Sequence, residues 1–306
     1  MKSRFDDILT FLQVVEAGGI TAAAVRLNIS KSVVSKRIGE LESRLGAELL
    51  RRSTRRVVPT DRGAAFYEKM RALVAEFDNA VEQASLRTGA LQGRLRITAP
   101  MSFGTAHLGP VLAAFARRHP GLELALDLDD RIVDLVDNGY DMAIRIGRLR
   151  DSSLVARKLC LSRRIVCCSP DYARERGLPA SIEDLSAHPC IDYAHVQAGR
   201  LWQFEPSRPG GTPRAVTARS RITANNGEIM RDMALAGLGL AVLPLFIVHE
   251  QLRQGTLVNA LPAAVPLADT IYAVYPPTRY VSRRVRALID HLAAALGGTP
   301  PWERTS

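Results

Sequence analysis

Thr21-Ala22-Ala23-Ala24-Val25-Arg26-Leu27-Asn28-Ile29-Ser30-Lys31-Ser32-Val33-Val34-Ser35-Lys36-Arg37-Ile38 is the stretch on which the fold turns. It predicts two short helices joined by a tight turn. In the first, Ala22, Ala23 and Leu27 suit close packing, and Ile29 fills the corner. Ser30 is a good cap for the second helix, its hydroxyl accepting a free N–H of the first turn. Val34, Ile38, Leu41 and Leu45 then recur at i, i+4, i+7 and i+11, the spacing of one apolar helix face. Lys31, Ser32, Ser35 and Lys36 fall on the opposite side, near the helix start. A bracing helix followed by one that exposes hydrogen-bonding side chains is a helix-turn-helix, here over about residues 21–40, and it suits the edges of DNA bases. An ordinary amphipathic pair with a solvated basic face has the same pattern.

The residues that follow favour the first reading. Gly46 suits the end of the second helix. Leu49-Leu50-Arg51-Arg52-Ser53-Thr54-Arg55-Arg56-Val57-Val58 then reads as two strand-like pieces flanking Ser53-Thr54, a β-hairpin wing. Its arginines suit phosphates or a minor groove, although a solvated loop is the bland alternative. A long helix is expected from Thr60-Asp61-Arg62-Gly63, with Thr60 as cap and Asp61 at the positive end of the helix dipole. Phe66, Met70, Leu73, Phe77 and Val81 step by four and three, a near-heptad seam that suits a partner helix. Packing within the chain is the alternative; a dimer is preferred because a two-fold pair reads two half-sites.

The chain has 306 residues, 47% of them apolar, enough for more than one core. Its net charge of +10 favours nucleic acid or anionic surfaces as partners. Met1-Lys2-Ser3-Arg4-Phe5-Asp6-Asp7 has no secretory pattern, and the apolar run from Ala234 to Val248 is broken by Gly237, Gly239 and Pro244. A cytoplasmic, nucleoid-associated protein without membrane contact is expected. Cys160, Cys167, Cys168 and Cys190 lack metal-site spacing and read as core thiols, with a redox switch as the alternative.

Composition shifts around Thr88-Gly89-Ala90-Leu91-Gln92-Gly93, a candidate hinge. Beyond it, strand patterns at 94–98, 122–128 and 141–146 alternate with helix patterns at 107–118 and 132–138. Such alternation predicts an α/β sandwich with a mostly parallel sheet. A middle part, 162–268, repeats the alternation, and a last strand (271–275) and helix (282–296) return to the first lobe. Two lobes joined by crossing strands leave a cleft, a common ligand position. Pro100-Met101-Ser102-Phe103-Gly104 and Thr223-Ala224-Asn225-Asn226-Gly227 each lie between a strand end and a helix start, with Ser102 and Asn226 as candidate caps. Free N–H groups there accept anions, so a small carboxylate is the natural guest if both corners face the cleft. Arg145 would pair with it or hold neighbouring acids, and the caps would serve only as caps if the corners face elsewhere.

Phe11-Leu12-Gln13-Val14-Val15-Glu16-Ala17-Gly18, Ala22-Ala23, Leu27, Ser30, Val34-Ser35, Ile38, Leu41-Glu42, Leu45-Gly46, Leu50, Arg52, Arg55, Thr60 and Gly63 together resemble the LysR-type transcriptional regulators. Asp141-Met142-Ala143-Ile144-Arg145-Ile146-Gly147, Asp151-Ser152-Ser153-Leu154, Ala236-Gly237-Leu238-Gly239 and Leu243-Pro244 extend the resemblance over nearly the whole chain. It implies an α/β protein with an N-terminal all-α winged helix-turn-helix (1–59), a long linker and dimerisation helix (60–89) and a two-lobed α/β effector domain (90–306) similar to type 2 periplasmic binding proteins. Lobe I would hold 90–161 and 269–306, and lobe II 162–268. The implied partners are double-stranded promoter DNA with a T-N11-A inverted repeat, a small-molecule effector, further copies forming dimers and tetramers, and RNA polymerase. No cofactor or metal is implied.

The candidate DNA-binding residues are Ser30, Lys31, Ser32, Ser35, Lys36, Arg37, Arg52, Arg55, Arg56 and Thr60. Those for the effector are Pro100, Met101, Ser102, Phe103, Arg145, Gly147, Phe204, Asn225 and Asn226. Lys31 stands where many relatives carry Gln; an ammonium lacks the bidentate adenine contact, which favours guanine or phosphate. Gly19 replaces a common Ser cap, and Pro59 a usual Leu. An enzyme or solute-binding protein is the rival class. Against it stand the missing secretory signal, nucleotide motif, nucleophile elbow and zinc spacing. Asp127, Asp129 and Asp130 read as an ordinary acidic strand end rather than a metal site.

Overall fold

The turn between the first two helices forms at Asn28, which takes the left-handed conformation (φ 51°, ψ 46°) and ends helix α2 (Ile20–Leu27). Short polar side chains tolerate this conformation better than most. Ser30 then returns to extended backbone and accepts the Val33 N–H at 3.3 Å, starting helix α3 (Lys31–Leu45). Helix α1 (Arg4–Glu16) completes the trio, and Phe11, Val14, Ala23, Val34 and Ile38 form a fully buried core. A computed structural model describes residues 4–52, 57–84, 90–148, 154–194, 201–206, 208, 210–277 and 281–303. The chain divides into two compact units, Met1–Thr88 and Gly89–Ser306.

Two core assignments in the first unit need correction. Ala24 is buried where Ala22 was expected; Ala23, Ala24 and Leu27 share one stripe at helical spacing, and Ala22 falls outside it. Leu45 is 45% exposed, because it closes α3 just before Gly46 (φ 61°) turns the chain away. The wing forms as strands β1 (Leu50–Arg52) and β2 (Val57–Pro59), paired antiparallel. The Glu42 carboxylate accepts the Leu49 and Leu50 N–H groups at 2.8 and 3.1 Å, pinning β1 to α3. Thr60 accepts the Gly63 N–H at 3.0 Å and caps helix α4 (Asp61–Ala84). Gly63 is required by contact: a Cβ there would lie 1.9 Å from the Leu49 carbonyl oxygen.

The near-heptad seam of α4 splits. Phe66 and Met70 pack on the core of their own unit, Phe66 edge-on to Phe11 at 5.5 Å, which corrects their assignment to a partner helix. Leu73 and Phe77 remain 48% and 52% exposed, Phe77 touching Phe5 at 4.9 Å. The Val81 side chain lies outside the described residues.

In the second unit, lobe I has the strand order β4-β3-β5-β14-β6. Its strands are β3 (Gly93–Ala99), β4 (Leu122–Leu128), β5 (Met142–Gly147), β6 (Val155–Ser162) and the returning β14 (Asp269–Tyr275). Helix α5 (Met101–Phe103) runs through a π-turn (Gly104–Leu108) into α6 (Gly109–Arg118), so the helix starts six residues before its apolar pattern. The expected helix at 132–138 is a set of turns instead. The Asp134 carboxylate accepts the Val136 and Asp137 N–H groups at 2.8 and 2.9 Å, an alternative to the helical ladder.

Lobe II begins with β7 (Arg164–Cys168) and α7 (Pro170–Arg176), then β8 (Cys190–Tyr193) and a separate hairpin of β9 (Leu201–Phe204) and β10 (Arg214–Thr217). It continues through β11 (Ser220–Ala224), α8 (Gly227–Leu235), β12 (Leu240–Pro244), α9 (Leu245–Arg253) and β13 (Val258–Asn259). Its main sheet has the order β11-β8-β12-β7-β13. Helix α10 (Arg283–Leu296), capped by Ser282, covers lobe I after the chain returns. Both sheets are mixed rather than mostly parallel. The chain crosses between lobes from β6 to β7 and back into β14, and β7 and β14 lie antiparallel to their neighbours.

Candidate DNA interface and effector cleft

Lys31, Ser32 and Lys36 are exposed on α3, and Ser35 beside them is half-buried. Ser30 caps the helix and its hydroxyl sits 2.8 Å from that of Ser32. Gly39 continues this face with open space around it, and Lys36 is held loosely by Glu40 at 3.8 Å. The face therefore carries two ammonium groups, hydroxyls and no bulky side chain, matching direct readout in a major groove. Arg51 adds an exposed cation on β1. Arg37 is turned the other way, toward α1: it donates to Thr10 Oγ1 at 3.1 Å and lies 4.0 Å from Asp6. That engagement sets Arg37 apart from the other candidate DNA-binding residues of α3, which point outward. Thr60, as cap, also donates to the Glu48 carbonyl at 2.8 Å. Arg55, Arg56 and the Arg52 side chain lie outside the described residues.

The cleft between the lobes is bridged by polar groups. Ser102, buried on α5, donates to the Glu228 carboxylate of α8. Met101 N–H donates to Asp130 Oδ1 at 3.0 Å, and the Tyr193 phenol donates to the same carboxylate from lobe II. Burial first, then the Asp130 charge, pushes the Tyr193 phenol upward. Arg148 donates to Gln203 Oε1 at 3.3 Å. The start of α5 faces the cleft and already engages two carboxylates of the chain itself, Asp130 through the Met101 N–H and Glu228 through the Ser102 hydroxyl, whereas the start of α8 is capped by the Asn226 amide.

Asn226 caps α8, accepting the Ile229 N–H at 3.0 Å, with Asn225 exposed beside it. Ser102 is not a cap; Pro100 occupies that position in α5. Met101 is partly exposed at the cleft. Phe103 is fully buried in the lobe I core against Phe246 and Trp302, and Phe204 is equally buried in lobe II, so neither is a wall residue. Arg145 is half-buried and donates to the Arg131 and Val133 carbonyls at 3.2 and 3.1 Å. Burial draws its pKa down, and its charge braces the loop after Asp129. Gly147 pairs with Thr270 at the end of β5.

Sequence reasoning missed the residues that line a cavity of about 230 Å³ on the lobe II side: Arg164, Asp192, Tyr193, Trp202, Gln203 and Met230 among them. Nothing local in the sequence singles out Asp192, because its burial depends on the β9–β10 hairpin folding back. Elsewhere all four cysteines are buried and unpaired. Burial pushes the Cys160 and Cys168 thiols up to about 11 and Cys190 up to about 12.

A winged helix-turn-helix joined to a two-lobed α/β domain with a polar cleft defines a ligand-responsive DNA-binding regulator. Family models agree unit by unit: "Bacterial regulatory helix-turn-helix protein, lysR family" matches residues 5–64, and "LysR substrate binding domain" matches 88–297. The chain is 38% identical to the HTH-type transcriptional regulator PtxR of Pseudomonas aeruginosa, over 96% of this chain and 93% of that one. It is 36% identical to DmlR of Escherichia coli, over 94% and 92%. The solved structure of CrgA, a LysR-type transcriptional regulator from Neisseria meningitidis, superposes with a TM-score of 0.60 at 31% identity, covering 97% of this chain and all of that one. The full-length Vibrio cholerae virulence activator AphB gives 0.57 at 27%, over 95% and 99%. The chain belongs to the LysR family: it is a transcriptional regulator with an effector-binding domain, not an enzyme. Among the described residues no helix is long and apolar enough to cross a membrane.

Proposed function

We propose that this regulator reads a T-N11-A type inverted repeat in promoter DNA through the outer face of α3. Lys31, Ser32, Ser35 and Lys36 read base edges, and Arg51, Arg52, Arg55, Arg56 and the neighbourhood of Thr60 hold phosphates. The supporting observation is the joint exposure of Lys31, Ser32 and Lys36 on a helix whose other face is buried. Residues 1–59 form the DNA-binding module and 60–89 the linker, which pairs two copies through Leu73, Phe77 and Val81. Two pairs make a tetramer acting in the cytoplasm at the nucleoid, within reach of RNA polymerase. Gel shifts test the reading. Ser35→Leu lowers affinity for the specific site at least tenfold more than for random DNA, and equal losses overturn base reading by this face. Arg55→Ala reduces the slope of log K against log salt by about 1; an unchanged slope removes Arg55 from the phosphate set.

The effector, a small carboxylate or similar metabolite, lies between lobe I (90–161 and 269–306) and lobe II (162–268). Asp130 already accepts the Met101 N–H at the start of α5, and the cation that lines the neighbouring cavity and meets the effector's carboxylate is Arg164. That guanidinium lines the cavity, has only a loose partner in Asp269 at 3.7 Å, and keeps a buried Nε without a partner among the described residues. An effector must favour one arrangement of the assembly over another to change DNA binding. Thermal shifts of the full chain with short carboxylic acids test this: stabilisation lost in Arg164→Gln supports the assignment, and stabilisation kept in that variant overturns it.

A further inference from the structure

Asp192 is 5% exposed at the heart of lobe II, an expensive place for a carboxylate unless its oxygens are matched. One is: the Trp202 indole N–H donates to Oδ1 at 2.7 Å. The other, Oδ2, is buried with no hydrogen-bond partner among the described residues. Both Asp192 and Trp202 line the cavity of about 230 Å³ that also holds Arg164. The rest of the lining is largely apolar, with Ile191, Leu201, Met230 and Val242. Tyr193 and Gln203, at the same cavity, reach across to Asp130 and Arg148 of lobe I, so it opens on the side where the lobes meet.

A buried acceptor without a donor and a guanidinium with an idle N–H, in one small cavity, form a complementary pair of vacant bonds. We infer that the effector carries a hydrogen-bond donor, a hydroxyl or an ammonium, beside its carboxylate. The donor meets Asp192 Oδ2, the carboxylate meets Arg164, and a short apolar stem lies against Met230 and Val242. This assignment rests on the reading of the cleft as the effector site and narrows the ligand from carboxylates at large to small hydroxy or amino acids. Unsubstituted acids of the same length are rejected because they leave Asp192 Oδ2 desolvated and unmatched, the condition under which sites discriminate most strongly.

The test uses matched sets of three- to six-carbon acids, each as the plain acid, the 2-hydroxy acid and the 2-amino acid. Binding to the full chain is measured by titration calorimetry. In at least one set, the hydroxy or amino member binds tenfold or more tightly than the plain acid. Asp192→Asn keeps an acceptor for Trp202, retains the thermal transition of the unliganded protein, and shrinks that preference below threefold. Plain acids binding as well as their substituted partners overturn the donor requirement while leaving the carboxylate reading intact. Amines or alcohols without a carboxylate binding equally well overturn the Arg164 half alone. Absence of binding by every acid overturns both.

Discussion

Gly63→Ala probes the closest contact in the DNA-binding unit. An added Cβ would sit 1.9 Å from the Leu49 carbonyl oxygen and 2.8 Å from its carbon, both backbone atoms that no rotamer change can move. Relief requires β1 and α4 to separate by more than 1 Å, on the order of the shortfall from ordinary van der Waals contact. That movement also stretches the 2.9 Å bond from Thr60 N–H to the same carbonyl. Overpacking costs about 1–3 kcal/mol, and a backbone clash belongs at the top of that range. Ala in place of Gly in a helix returns up to about 1 kcal/mol. The net loss is about 2 kcal/mol, a roughly 30-fold rise in the unfolded fraction of that unit. The two tryptophans, Trp202 and Trp302, both lie in the second unit, so their fluorescence ignores the first, whereas far-ultraviolet circular dichroism sees both. Urea unfolding of Gly63→Ala should therefore shift part of the dichroism transition to lower urea and leave the fluorescence transition in place. Gly39→Ala is the control: its Cβ meets nothing within 4 Å on α3, and it should stabilise by about 0.5–1 kcal/mol. Coincident transitions at the wild-type midpoint in Gly63→Ala would refute the close-packing argument.

Leu73→Glu with Phe77→Glu should convert dimers to monomers in light scattering while the urea midpoint of the first unit holds. Phe66→Ala should instead lower that midpoint, through a stability loss of about 2 kcal/mol, roughly half the value for a fully buried ring, without changing the assembly's mass. Burial draws the His107 pKa below its ordinary 6.5, against the raising effect of its bond to the Phe246 carbonyl. The unfolded chain thus binds the proton more readily, and this stabilisation is complete above pH 6.5 and is lost as pH falls through the lowered value. Tryptophan-monitored stability should decline over that window and flatten in His107→Gln; an unaltered slope would exclude His107 as its source. The buried thiols, with pKa values raised to about 11 and 12 at Cys160, Cys168 and Cys190, should resist iodoacetamide at pH 8 until the protein is denatured, and rapid labelling of any one in the native state would restore a redox role.

Local order was legible wherever a short-range rule applied. Ser30, Thr60, Asn226 and Ser282 all cap helices, since a cap needs only a hydroxyl or amide and an N–H a few residues on. The strand at 122–128 was equally plain from its alternating residues. The helix expected at 132–138 was not, because Asp134 competes for the same N–H groups within its own turn. Side-chain partners were the least legible. Arg37, Arg145 and Phe103 have the chemistry of a site, yet neighbours distant in sequence turn them to bracing or to core.

By itself, the sequence determined the helix-turn-helix, the wing and the alternation of two α/β lobes, which follow from periodicity, caps and turns within a few residues, while its motifs along the chain carried the resemblance to the LysR family. Only the tertiary structure decided which half of the α4 seam stays exposed, that Asp130 and Glu228 both accept hydrogen bonds from α5, and that Asp192 and Arg164 share one cavity. Those outcomes depend on which surfaces meet across tens of residues of chain, and a carboxylate's environment is set by what folds over it rather than by its neighbours in sequence.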